Sequence, residues 1–262
     1  MNMYRIAAVS WRHLAFLFHP SCLLDIFFWA SFDVVLFGFA GAQFARAVPT
    51  DQYMACAFVV SLLACRCLSS GTGNFMTNSF LRELGDRNFV ALYASPLRLS
   101  EWLISGFIVG CTAAFVRLSL AVLGMICVLN VCMHIPLWFV FIGGFYLIIF
   151  GCVIGLLMVS ISLLVGRSAQ AWIWIVLQIF FLLSGVLCPL NLLPAWLRFP
   201  SYVLPLPYLF DGLRTLFIGG TVWPQLFVCG ALDLLYLVCT CVLVYWVFAV
   251  CKQRGLARLE QS

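Results

Sequence analysis

The chain has 262 residues, of which 65% are hydrophobic and only 9% charged, against roughly 25% charged in ordinary soluble domains. Apolar runs recur along the whole length, so a soluble domain with a single anchor is excluded and an integral membrane protein is predicted. The net charge of +5 comes from 13 Arg and one Lys scattered along the chain, which in a membrane protein reports topology and gives no reason to expect nucleic acid.

Residues 3–19 are predicted as an amphipathic helix lying at the membrane interface. Arg5, Arg12 and His19 recur every seven residues on one face, with Tyr4, Ala8, Trp11, Ala15 and Phe18 on another. That pattern is too polar to span and suits a membrane surface. Pro20 is expected to end it. The stretch is short and broken by Arg12, His13 and His19, which does not read as a signal peptide. Six transmembrane helices follow in expectation, at about 22–42, 53–75, 102–129, 136–165, 171–187 and 225–250. Residues 76–101 read as a polar connection. Residues 188–224 are apolar but carry Pro189, Pro194, Pro200, Pro205, Pro207 and Pro224. Proline breaks a helix interior, so short re-entrant or outer helices are predicted there, not a span.

Lysine and arginine sort by side. Arg5, Arg12, Arg82, Arg87, Arg98, Arg167, Lys252, Arg254 and Arg258 fall on one side of this arrangement, and Arg46, Arg198 and Arg214 on the other. The excess places both termini in the cytoplasm. An even number of spans requires both termini on one side, so the two readings agree. The 13 cysteines lie mostly inside apolar runs, Cys111, Cys127, Cys152, Cys229, Cys239 and Cys241 among them. There they act as small hydrophobes. Cys65 and Cys67 form C-x-C without a neighbouring His, so no metal site is expected.

Two segments resemble a known family. Residues 184–214 read Ser-Gly-Val-Leu-Cys-Pro, then Leu-Pro-Ala-Trp-Leu, then Pro-Leu-Pro-Tyr-Leu-Phe-Asp-Gly-Leu-Arg. This is similar to the segment between the fifth and sixth helices of ABC-2-type permeases. Residues 80–97 read Phe-Leu-Arg-Glu-Leu-Gly-Asp-Arg-Asn-Phe-Val-Ala-Leu-Tyr-Ala-Ser-Pro-Leu. This resembles the cytoplasmic coupling segment of the same permeases. The resemblance implies one transmembrane domain over the whole chain. It implies pairing with a second copy or a related permease, and cytoplasmic ATP-binding-cassette ATPase subunits as partners. ATP and magnesium would bind in those subunits. The chain itself offers no phosphate loop, because its one lysine, Lys252, is followed by Gln253 where such a loop needs Gly-Lys-Ser/Thr. Gly71-Thr-Gly-Asn lacks the third glycine of a dinucleotide fingerprint and reads as a helix end.

Within this frame Arg82, Glu83, Asp86 and Arg87 are the expected coupling residues. Asp33, Arg66, Arg117 and Asp233 are ionisable groups inside spans, where each costs about 2.5–3.5 kcal/mol on insertion scales and calls for a partner. Counted from the cytoplasmic end, Asp33 and Arg66 come out at one depth and Arg117 and Asp233 at another, so these are the expected pairs. They serve packing or line a pathway. Asp233, Tyr236 and Thr240 share a helix face by spacing, as a pathway lining or a polar seam. Gly106 and Gly110, and Gly151 and Gly155, form G-x-x-x-G steps suited to close packing. In the Pro-rich segment, Pro189, Pro194, Trp196, Pro207, Tyr208, Asp211 and Arg214 are singled out, with an Asp211–Arg214 ion pair expected three residues apart.

No catalytic constellation is present: the histidines, His13, His19 and His134, are scattered. The expected function is the permease subunit of a bacterial inner-membrane ABC exporter for an amphipathic, lipid-like, drug-like or glycan substrate. A gradient-driven secondary transporter and a non-transporting membrane assembly protein are the alternatives.

Overall fold

The computed structural model of the protein describes residues 3–47, 64–85, 98–124, 136–166, 169–186 and 194–254. Among these residues the regular elements are all helical. That follows from the solvent: hydrocarbon offers backbone groups no water, and a helix satisfies its own. In chain order the elements are α1, Met3–Leu17; α2, Pro20–Ala47; a π-helix, Cys65–Ser70, which runs on into α3, Gly71–Gly85; α4, Leu99–Gly124; α5, Leu137–Val165; α6, Ala169–Leu183; α7, Ala195–Val203; α8, Leu206–Phe217; and α9, Trp223–Arg254. Among the described residues three helices are long and apolar enough to cross a membrane: Leu99–Gly124, Trp138–Val165 and Trp223–Gln253.

Pro20 both ends α1 and begins α2. A proline lacks the N–H that the first turn of a helix cannot use, and the turn closes through Cys22 and Leu23 N–H groups donating to the His19 carbonyl. α5 is the central helix. Its most apolar window is 61% buried, against 33% in α4 and 22% in α9. It packs against α9 on one side and against the π-helix and α3 on another.

Three sequence expectations need correction here. The helix does not stop at Phe75: it continues to Gly85, and Met76 and Phe80 on it are buried. The connection expected from residue 76 therefore begins as packed helix. Likewise Gly71 and Gly73 do not mark a helix end; they are contact points in its interior. The expected fifth span gives way after Leu183 to a turn at Ser184–Gly185.

The glycines show why. Residues 65–85 run between α4 and α5, and both neighbours present glycine. A side-chain carbon at Gly151 would stand 2.5 Å from the Ser69 carbonyl oxygen, and one at Gly110 would stand 3.0 Å from that of Thr72. In return, one at Gly73 would meet the Gly151 carbonyl at 2.9 Å. Lipid tails are as apolar as leucine, so helices associate in a membrane through such close contact and not by excluding water. The polar side chains of this segment are folded onto its own backbone: Thr72, Thr77 and Ser79 hydroxyls donate to the carbonyls of Leu68, Gly73 and Phe75 at 2.7–2.8 Å. That back-bonding lets a polar run sit among apolar neighbours.

Gly151→Ala should therefore destabilise the protein by about 1–3 kcal/mol, the usual cost of overpacking. Gly144→Ala is the control, because its nearest neighbour, Leu68 Cδ1, is 3.6 Å away; it should be neutral or stabilising by up to about 1 kcal/mol. Thermal unfolding in detergent checks both.

Candidate functional site

Three polar constellations interrupt the apolar packing. The first joins α1, α3 and α4. The inward face of α1 is Ile6, Ser10, His13 and Leu17, all buried, at helical spacing. Tyr4, Trp11 and Phe18 face outward. Ser10 donates to the Ser105 hydroxyl at 3.1 Å, and His13 meets Trp102 edge-on at 6.3 Å. Trp102 in turn meets Phe80 of α3 at 5.4 Å. Arg12 reaches across to the Glu83 carboxylate in an ion pair. Glu101 closes the start of α4, accepting from the Arg98 N–H at 3.2 Å in the manner of an N3 glutamate.

Glu83, one of the expected coupling residues, is buried and paired with Arg12 of the same chain. Arg82 beside it is half-buried. Asp86 and Arg87 lie outside the described residues. Burial, with the guanidiniums of Arg12 and Arg82 nearby, pulls the His13 imidazole down to about 4.

The second constellation lies within the apolar helices. Asp33 on α2 and Arg66 in the π-helix come together, Nη2 to Oδ1 at 3.3 Å and Nε to Oδ1 at 3.4 Å. The Arg66 guanidinium carbon sits 5.5 Å from the ring centre of Phe181 on α6, a cation–π distance. Arg117 and Asp233 do not pair. Arg117 lies within electrostatic reach of Asp33 and Cys67, and its buried Nε has no partner. Asp233 is buried on α9; its Oδ2 accepts from the Cys229 sulfhydryl at 3.9 Å, and its Oδ1 has no hydrogen-bond partner. Equal depth placed these two together, but depth ignores position around the bundle.

The third constellation holds the Pro-rich segment, whose residues 187–193, Pro189 included, lie outside the described ones. Pro194 precedes α7, Trp196 is exposed on it, and Pro207 is buried in the first turn of α8. The Asp211–Arg214 pair forms at 2.7 Å. The second arm of Arg214 donates to the Gly185 carbonyl at 2.6 Å, where Gly185 turns the chain at φ 69°. Tyr208 donates to the Tyr202 carbonyl at 2.9 Å and Tyr236 to that of Val203 at 3.1 Å. Thr240 bonds back to Tyr236 and Leu237 carbonyls of its own helix. Of the expected face, Tyr236 thus ties α9 to α7, a seam between helices. Trp223 stacks on Trp138 at 5.5 Å.

Sequence reasoning missed Arg12, Ser10, His13 and Phe181 as members of these sites. The i, i+4, i+7, i+11 spacing of Ile6, Ser10, His13 and Leu17 was a readable signal of a third face on α1.

Residues 3–218 match the ABC-2 type transporter family. The chain belongs to that family. It is accordingly an integral membrane component of an ABC transporter, and membership implies association with an ABC ATPase. A search among curated proteins returns no match.

Two outcomes follow from the geometry. The folded His13 holds its proton less tightly than the ordinary value near 6.5, so the unfolded chain binds more protons between pH 6.5 and about 4. Stability should be full above 6.5 and fall as pH drops through that window. His13→Gln should flatten the slope in thermal melts taken across it. Arg214→Lys keeps the charge but not the two-armed fork, and should destabilise by about 1–3 kcal/mol; a melt of the purified variant measures it.

Proposed function

We propose that the chain is the permease subunit of an ATP-driven exporter, working as a dimer with a second copy or a related permease. Six helices span a bacterial inner membrane, both termini are cytoplasmic, and α1 rides on the membrane surface with Tyr4, Trp11 and Phe18 toward lipid. Cytoplasmic ATPase subunits hold ATP and magnesium, and their closure moves the segment that follows α3. The substrate is amphipathic, lipid-like, drug-like or a glycan.

The observation that best supports this reading is the α1–α3–α4 junction. The helix that leads into the coupling segment is gripped by α4 and α5 along its length and pinned to α1 by Arg12 and Glu83. A push on residues beyond Gly85 has no slack to absorb it. Arg82, Asp86 and Arg87 are the contacts to the ATPase in this reading, and Glu83 is the internal brace behind them.

Co-purification with any ABC ATPase encoded beside it, followed by ATP hydrolysis in nanodiscs, tests the proposal. Arg87→Glu should weaken the complex. Glu83→Gln should leave the complex intact and reduce the stimulation of hydrolysis by permease. Should no ATPase bind and both variants behave as wild type, the exporter reading fails and a gradient-driven transporter takes its place.

A further inference from the structure

The charges inside the apolar helices do not balance where they sit. Asp33 on α2 pairs with Arg66 of the π-helix and lies within electrostatic reach of Arg117 on α4, one carboxylate against two guanidiniums. Neither guanidinium can shed its proton in a protein. The other carboxylate, Asp233, is on α9 and faces Cys229. It does not neutralise the excess.

The contacts that exist are also loose. Those from Arg66 to Asp33, at 3.3 and 3.4 Å, exceed the about 2.7–2.9 Å of a tight charge-assisted bond. The Nε of Arg117 is buried without any partner. The site is nevertheless open at its edge. Arg66 keeps 17% of its side chain exposed, and Arg117 is half-buried. Phe181 covers one flank of Arg66 with an aromatic face, and Phe37 packs against Phe181 at 6.4 Å. A surplus cation, two planar donor forks and an apolar flank occur at one place. A charge left uncompensated at membrane depth is expensive and marks a functional site.

We propose that Asp33, Arg66 and Arg117 form a binding site for an anionic group, a phosphate or carboxylate carried on an apolar tail. Arg117 supplies the unclaimed donors. Arg66 supplies a second fork, and Asp33 holds Arg66 in position. Guanidinium suits this task because its donors match two oxygens at once. The aromatic and aliphatic side chains beside it take the tail. That the bound amphiphile is cargo rests on the permease reading above; the site itself requires only this chain.

The test uses the purified full chain in phosphatidylcholine nanodiscs, titrated with radiolabelled dodecyl phosphate, and with dodecylphosphocholine as the zwitterionic control. Dodecyl phosphate should bind saturably, and Arg117→Gln should weaken it about tenfold, the loss of one charged hydrogen bond. Arg117→Gln removes an unpaired charge, so its thermal midpoint should not fall. Arg117→Lys should bind between the two. Equal binding of dodecyl phosphate by wild type and Arg117→Gln overturns the proposal, as does equal binding of the zwitterion by the wild type. A second arm replaces part of the phosphatidylcholine with phosphatidylglycerol. Displacement of the probe assigns the site to a membrane lipid headgroup, and retention assigns it to a smaller anionic amphiphile. No ATPase is present in this assay. Failure here removes the anion site and leaves the permease reading to the complex-formation experiment.

Discussion

The close approach of residues 65–85 to the glycines of α4 and α5 is the constraint on which the rest of the molecule depends. Where a carbonyl oxygen of one helix stands within contact of the Cα of another, as at Ser69 and Gly151, neither helix can rotate or slide without collision. Packed interiors of this kind shift as bodies and do not deform continuously. The same segment carries Arg66 near one end and Arg82 and Glu83 near the other. From 66 to 82 is sixteen residues, about 24 Å at 1.5 Å per residue. One stiff element therefore connects the charged trio to the junction with α1. The π-helical turn at Cys65–Ser70 sits at the N-terminal end of this element, and such turns recur where a helix has been adapted for function.

That arrangement was only partly legible in the sequence. The glycine steps at 106–110 and 151–155 announced close helix contacts, but not that both embrace the same helix. Gly71 and Gly73 looked like helix breakers because glycine propensity is a weak prior that tertiary packing overrides. Asp33 and Arg66 could be matched from depth along neighbouring spans. Arg117 and Asp233 could not, because depth is one coordinate and the angle around the bundle is another. The family resemblance pointed to residues 80–87 without revealing that Glu83 is turned inward. Its partner, Arg12, lies 71 positions away, a distance no local pattern crosses. The Asp211–Arg214 pair was readable because both residues lie on one helix turn. The second bond of Arg214, to the backbone at Gly185, was not.

That second bond belongs to a wider solution. Every helix end leaves carbonyls without an intrahelical donor, and in an apolar medium each unmet group is costly. The Pro-rich segment multiplies helix ends in a small space. Three carbonyls in and beside it are met by side chains: Gly185 by Arg214, Tyr202 by Tyr208, and Val203 by Tyr236. The donors lie on two helices, α8 and α9, and act on the ends of α6 and α7. Pro194 stands before α7 and Pro205 before α8, while Pro200 is accommodated inside α7, and the two tyrosines and the arginine make the breaks tolerable. The same bonds fix α7 and α8 to α6 and α9, so the segment that interrupts the regular bundle is fastened at each break. Irregular backbone survives in a membrane protein only where protein groups replace water, and Tyr208, Arg214 and Tyr236 are here the groups that do so.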